Sequence, residues 1–230
     1  MKYLFFDTEC ANCFDGIGKI CEFGYVLTDE NLNTLKSGIH LINPDAEFDW
    51  YVKHKIISYK INEYESAPLY PEIYNNYLKE LLESEDTVLV GHGVSNDLGF
   101  INDEIKRYEL PGIKSKVIDA SHVLRDFRNE KNAKSLKLIL KELGIGQTKA
   151  LHSSEYDAAM TLEYVKHMCN ESGLTFSALS QKHVRSVTLN GESQKSEAER
   201  AKTREKRMLA ENLNPEILKK LTHLETLKEN

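Results

Sequence analysis

The chain has 230 residues, 40% of them hydrophobic and 29% charged, the proportions of an ordinary globular protein with room for one large domain or a domain plus an extension. A formal net charge of −6 excludes the broadly basic surface of a protein that grips nucleic-acid backbone indiscriminately, although an acidic site that takes up divalent cations remains compatible with a phosphate substrate. No apolar run approaches the ~18 residues of a membrane span and no leader pattern opens the chain, so a cytoplasmic protein with no membrane partner is expected.

Lys2 to Phe6 reads as a short strand, apolar enough to be buried on both faces. Cys21–Thr28 and Leu35–Ile42 form two further strand-like runs, and the polar stretch Asp29–Asn33 between them suggests a hairpin closed beyond its second strand by Pro44. Residues 45 to 69 are irregular, with helical character around His54 to Ile61. A helix follows from about Pro71, its expected inner face formed by Ile73, Tyr77, Leu78, Leu81 and Leu82. Thr87–Val90 is a fourth strand, broken by Gly91-His92-Gly93, and Ser95 is placed to cap a helix carrying Leu98, Ile101, Ile105 and Tyr108. Val117-Ile118 marks a fifth strand, followed by helices over Ser121–Phe127 and Ser135–Leu143, the latter with Ser135 as N-cap and Gly144 past its end. A longer helix over Glu155–Glu171 would turn Ala159, Leu162, Val165, Met168 and Cys169 inward. Strands first, then strands alternating with helices, indicate an α/β fold with a mixed five-stranded sheet flanked by helices.

From about residue 187 the composition changes, and residues 1–186 are taken as one domain with 187–230 as a charged helical extension. Asn214-Pro215-Glu216 is a helix-start signal, and Ile217, Leu221, Leu224 and Leu227 make an apolar stripe that could dock a polymerase, a second copy of the chain or the chain's own domain. The cluster Lys202, Arg204, Lys206 and Arg207 is interspersed with glutamates, which favours a solvated helix face over a nucleic-acid contact. Cys10 and Cys13 form a C-x-x-C with no second pair at zinc spacing, so reduced, packed thiols are expected.

The chemistry-bearing residues fall in three stretches. "YLFFDTECAN" ends an apolar run with Asp7 and Glu9, which in a strand would project to the same side about 7 Å apart. Buried together, they would repel unless one held a proton or a cation bound between them. If the strand stops at Phe6, both simply face water. "VGHGVSNDLGF" places Asp97 in the first turn of a helix, where the helix dipole alone would favour it. "LHSSEYDAAM" places His152 five residues before Asp157, across a helix start. Ser154-x-x-Asp157 also matches a capping box, and His152 alone could be an ordinary loop histidine. A histidine in the preceding loop can fold back over the first turn, as a base held beside a metal ligand would.

Together, "FFDTECAN", "GHGVSNDLGFI", "HSSEYD" and the intervening "HKIISYKINEYESAP" resemble the DEDDh 3′–5′ exonucleases of the ribonuclease H-like fold, related to the proofreading subunit of bacterial DNA polymerase III. The resemblance spans roughly residues 1 to 180. It implies a ribonuclease H-like sheet and metal-dependent removal of nucleoside monophosphates from single-stranded or frayed 3′ ends, with DNA slightly favoured over RNA. It further implies Asp7, Glu9, Asp97 and Asp157 as ligands of two divalent cations, Mg²⁺ or Mn²⁺, and His152 as general base. One ion would be held mainly by Asp7, Glu9 and Asp157, the other by Asp7 and substrate phosphate, with Asp97 acting through water. His152 must be neutral to accept a proton, so activity would rise as pH climbs through its pKa. A backbone turn at Thr8, Cys10 and Ala11 would meet the terminal nucleotide. The chain departs from the family pattern at Cys10 after the Glu, Asn96 before the second Asp and Ser154 in the third motif, none of which removes a ligand or the base. The alternative is a non-catalytic nucleic-acid-binding or polymerase-recruitment module retaining the fold.

Overall fold

A computed structural model describes residues 1–145 and 153–192. Met1–Cys13 and Ile17–Glu192 belong to one compact unit, which the following description concerns.

In chain order the elements are β1 (Lys2–Asn12), β2 (Lys19–Thr28), β3 (Thr34–Leu41), α1 (Ile61–Glu65), α2 (Tyr70–Ile73), α3 (Lys79–Glu83) and β4 (Thr87–Gly91). They continue as α4 (Ser95–Arg107), β5 (Ile113–Asp119), α5 (Ala120–Phe127), α6 (Leu136–Glu142), α7 (Ser154–Ser172), α8 (Phe176–Ser180) and β6 (Arg185–Leu189). The sheet has six strands rather than five, in the order β3-β2-β1-β4-β5-β6. β1 pairs with β2 antiparallel and with β4 parallel, β4 with β5 parallel, and β6 closes the edge antiparallel to β5. The extra strand crosses the boundary expected between residues 186 and 187. As an edge strand it buries only Leu189, so its "RSVTL" carries almost none of the apolar signal that reveals an inner strand.

β1 is longer than its apolar run. It does not end at Phe6 but continues to Asn12, which pairs with Lys19, with irregularities around Cys10. The expected backbone turn at Thr8 to Ala11 is therefore a bulged strand. Asp29 closes the β2–β3 hairpin by accepting hydrogen bonds from the backbone N–H groups of Asn31 and Asn33, each at 2.9 Å.

Alternation along β1 sends side chains to two cores. Leu4 and Phe6 join Phe23, Tyr74, Leu78, Leu98 and Ile101 beneath α2 to α4. Tyr3 and Phe5 join Val90, Ile118, Leu162, Val165 and Met168 beneath α5 to α8. Both faces of the sheet are covered, as the unbroken apolar runs of β1 and β4 require. A third, smaller cluster holds Ala11, Cys21 and Tyr64, with Phe48 and Ile57 packed against it.

The helix expected from Pro71 is real but contains a π-helical turn over Tyr74–Leu78, joining α2 to α3 without a break in helical backbone. That turn shifts the phase of the buried face. Tyr74, Leu78 and Leu82 point inward, while Tyr77, expected inside, is about half exposed and stacks on His40 with ring centroids 4.8 Å apart. In α4, the inner positions Leu98, Ile101 and Ile105 are as expected, but the N-cap falls on Val94, one residue before Ser95. None of the four cysteines forms a disulfide. No helix among the described residues is long and apolar enough to cross a membrane.

Candidate active site

The acids stand where β1 leaves its apolar stretch. Asp7 and Glu9 alternate with Thr8, so the two carboxylates face the α7 side, as Tyr3 and Phe5 do, while Thr8 faces α4. α7 runs over β1 and β2 and presents Asp157 from its first turn. One carboxylate oxygen from each of Asp7, Glu9 and Asp157 lies within 4.8 Å of the others.

Asp97 arrives from the opposite side. It is 6% exposed in the first turn of α4, and its Oδ1 accepts hydrogen bonds from both the backbone N–H (3.0 Å) and the hydroxyl (2.8 Å) of Thr8. The single residue between Asp7 and Glu9 thus holds the fourth acid in place.

The electrostatics follow from crowding. Burial raises the Asp7 carboxyl well above the ordinary range, and Asp97, Glu9 and Asp157 add to it by repulsion. Glu9 is pushed up to about 8, first by burial and then by Glu22, Asp157 and Asp97. Burial lifts Asp97 to about 7, against the two hydrogen bonds from Thr8, which favour its charged form. Without counter-charge these acids hold protons near neutral pH. A set of hard carboxylate oxygens converging in this way fits a divalent cation such as Mg²⁺ or Mn²⁺.

A fifth carboxylate belongs to none of the sequence motifs. Glu22 of β2 sits opposite Glu9 in the β1–β2 register and is fully buried. The Tyr64 hydroxyl donates a hydrogen bond to its Oε1, and the Ser154 hydroxyl (3.2 Å) and backbone N–H (3.4 Å) donate to its Oε2. Ser154 therefore does not cap α7 in a box with Asp157. The N-cap is Ser153, whose carbonyl accepts from the Asp157 N–H at 2.9 Å, and Ser154 ties the helix start to β2 instead.

Two residues along β2, Gly24 stands opposite Asp7, and a Cβ there would meet the Glu155 nitrogen at 1.9 Å and the Ser154 carbonyl carbon at 2.1 Å. The backbone of α7 thus rests directly on the strand. The signal was present in "ICEFGYV", where a charged residue and a glycine interrupt a strand buried on both faces, each needing a reason to be there.

Of the other expected site residues, Thr8 commits both donors to Asp97. Cys10 packs in the core beneath α2 to α4, and Ala11 is fully buried in the third cluster. His152 lies outside the described residues.

A mixed sheet covered by helices on both faces, with carboxylates of β1 and α7 converging over it, is the architecture of the ribonuclease H-like fold. Residues 55–168 match the DEDDh family described as DNA polymerase III subunit epsilon-like, C-terminal domain, a span that includes Asp97 and Asp157. DNA polymerase III PolC-type of Streptococcus pneumoniae serotype 2 (strain D39) is 32% identical over 95 residues, covering 40% of this chain and 6% of that protein. The chain is thus similar to a small part of a much longer polymerase. Among solved structures, the nuclease domain of 3′hExo bound to rAMP superposes with TM-score 0.62 at 16% identity, covering 74% of this chain and 92% of that one. The S. pombe Pop2p structure with Mg²⁺ and Mn²⁺ bound gives 0.60 at 14% identity, covering 79% and 87%. The chain belongs to the DEDDh family of 3′–5′ exonucleases.

Proposed function

We propose that the protein hydrolyses phosphodiester bonds at the 3′ ends of single-stranded or frayed nucleic acid, releasing nucleoside monophosphates, with DNA slightly favoured over RNA. The observation that carries this reading is the convergence of Asp7, Glu9 and Asp157 within 4.8 Å. When bound, a pair of divalent cations, Mg²⁺ or Mn²⁺, supplies water activation and stabilisation of the leaving 3′ oxygen. Asp7, Glu9 and Asp157 would hold the cations, and Asp97 would add its carboxylate in the orientation that Thr8 gives it. His152 takes the proton of the attacking water.

The preference for DNA is supported by the similarity to a DNA polymerase. Association with a polymerase, or with a second copy, would use the stripe from Ile217 to Leu227, which lies outside the described residues. The cytoplasm is the proposed location.

The test is a panel of 3′-labelled DNA and RNA, single-stranded and duplex, with Mg²⁺, Mn²⁺ or a chelator. Metal-dependent release of mononucleotides from the 3′ end is expected, abolished by Asp7→Ala and by His152→Ala. Undiminished activity in either variant would refute the site. Binding without any release of mononucleotides would favour the recruitment-module alternative.

A further inference from the structure

The segment from Trp50 to Lys60, "WYVKHKIISYK", holds three lysines and no acid, in a chain with 36 acidic and 30 basic residues. It is held beside the active site. The Asp49 N–H donates to the Ala11 carbonyl at 2.8 Å, and Phe48 and Ile57 pack against the cluster containing Ala11 and Tyr64. Ala11 lies two residues past Glu9, about 7 Å along the strand, so the segment borders the mouth of the site.

Its outer surface is aromatic and basic. Trp50 is 67% exposed, and Lys53, His54 and Lys55 are exposed with it. The Trp50 indole stacks on the His54 ring with centroids 4.8 Å apart and planes 26° from parallel. His54 is itself fixed, its Nδ1–H donating to the Trp50 carbonyl at 2.8 Å. One indole face is thus backed by an ordered ring while much of the side chain stays open to solvent. A large aromatic surface left in water on a rigid backing, flanked by lysines, has the composition of a base-stacking platform with phosphate contacts.

We propose that Trp50, backed by His54 and flanked by Lys53 and Lys55, is a binding subsite for single-stranded nucleic acid, stacking a base upstream of the terminal nucleotide. The inference rests on the reading of the chain as a 3′–5′ exonuclease and adds to it a subsite that no metal ligand supplies. The subsite takes a base and its neighbouring phosphates without regard to sequence, because every base has a stacking face.

Two measurements on the full chain test it. First, hydrolysis of single-stranded oligodeoxy- and oligoribonucleotides is compared with that of the p-nitrophenyl ester of thymidine 5′-monophosphate, which is too short to reach the platform. Trp50→Ala is expected to raise KM for the oligonucleotides roughly 5- to 100-fold, to leave the ester unaffected, and to be largely rescued by Trp50→Phe. Second, Trp50 is the sole tryptophan of the chain. In the Asp7→Asn variant, oligonucleotide should therefore quench tryptophan fluorescence saturably, whereas thymidine monophosphate should not. An unchanged KM in Trp50→Ala, or fluorescence indifferent to oligonucleotide, overturns the proposal and assigns the exposed indole to some other partner. If the wild-type chain cleaves neither substrate, the exonuclease reading falls while the fluorescence titration still decides the platform.

Discussion

Gly24→Ala tests how the site is held together. The added methyl would sit 1.9 Å from the Glu155 nitrogen, so restoring an ordinary contact of 3.4 Å requires the start of α7 to recede by about 1.5 Å. The obstacle is backbone, and no side-chain rotation relieves it. Asp157 lies in the turn that must move, whereas Asp7 and Glu9 remain on β1. Misplacing a reacting group by about 1 Å costs on the order of 100-fold in rate, and overpacking of this kind costs about 1–3 kcal/mol. At roughly 2–4 °C per kcal/mol for a domain of this size, the melting temperature should fall by a few degrees. The assay is kcat on the p-nitrophenyl ester at saturating Mn²⁺ and 25 °C, with thermal unfolding measured in parallel. A loss of about 100-fold or more in a variant that is still folded is expected. Undiminished activity beside a lowered melting temperature would refute the claim that the seat of α7 on β2 sets the position of Asp157.

Glu9 and Asp97 have folded pKa values, about 8 and about 7, above their ordinary 4.5 and 3.8. Their protonated burial should therefore favour the fold fully only below about pH 3.8, where both are protonated in either state, and that contribution to the metal-free protein should be lost as pH rises through 7 towards 8. Thermal unfolding from pH 5 to 8 should show that decline, and the stabilisation by Mn²⁺ should grow over the same range because the ion competes with protons; a flat profile would argue that the acids are not buried together. Thr8→Val removes the hydroxyl that favours ionised Asp97, so more Mn²⁺ should be needed for half-maximal activity near pH 7; an unchanged metal requirement would separate Asp97 from the metal site. Tyr64→Phe leaves buried Glu22 one donor short, at a cost of about 1–3 kcal/mol, and should raise the Mn²⁺ concentration needed for half-maximal activity. An unchanged melting temperature and metal requirement would dismiss the Glu22 network.

The sheet core and the acidic motifs were legible because each leaves a local pattern. Apolar runs marked β1, β2 and β4, and acids at the ends of elements marked Asp7, Glu9, Asp97 and Asp157. What stayed hidden depends on neighbours distant in the chain. The run of β1 through Asp7 to Asn12 is visible only once β2 pairs with it as far as Lys19. The outward turn of Tyr77 follows from a π-helical turn that helical periodicity does not anticipate. Ser154 read as a capping residue because its true partner, Glu22, lies 132 positions earlier. β6 escaped because an edge strand with one buried side chain has no periodic signature.

The threonine between the two acids of β1 has a consequence for the order of folding. Its bonds to Asp97 span 89 residues, and those between Ser154 and Glu22 span 132. Each half of the site is therefore closed by a contact of long sequence separation, the kind that forms late because a large loop must first be ordered. The amino-terminal strands alone carry Asp7, Glu9 and Glu22 as a patch of mutual repulsion. Only when α4 and α7 have both docked does that patch become a cage for a cation. A cation would thus find its ligands together only in the completed fold, and a half-made chain leaving the ribosome carries these acids without the arrangement that the proposed cleavage requires.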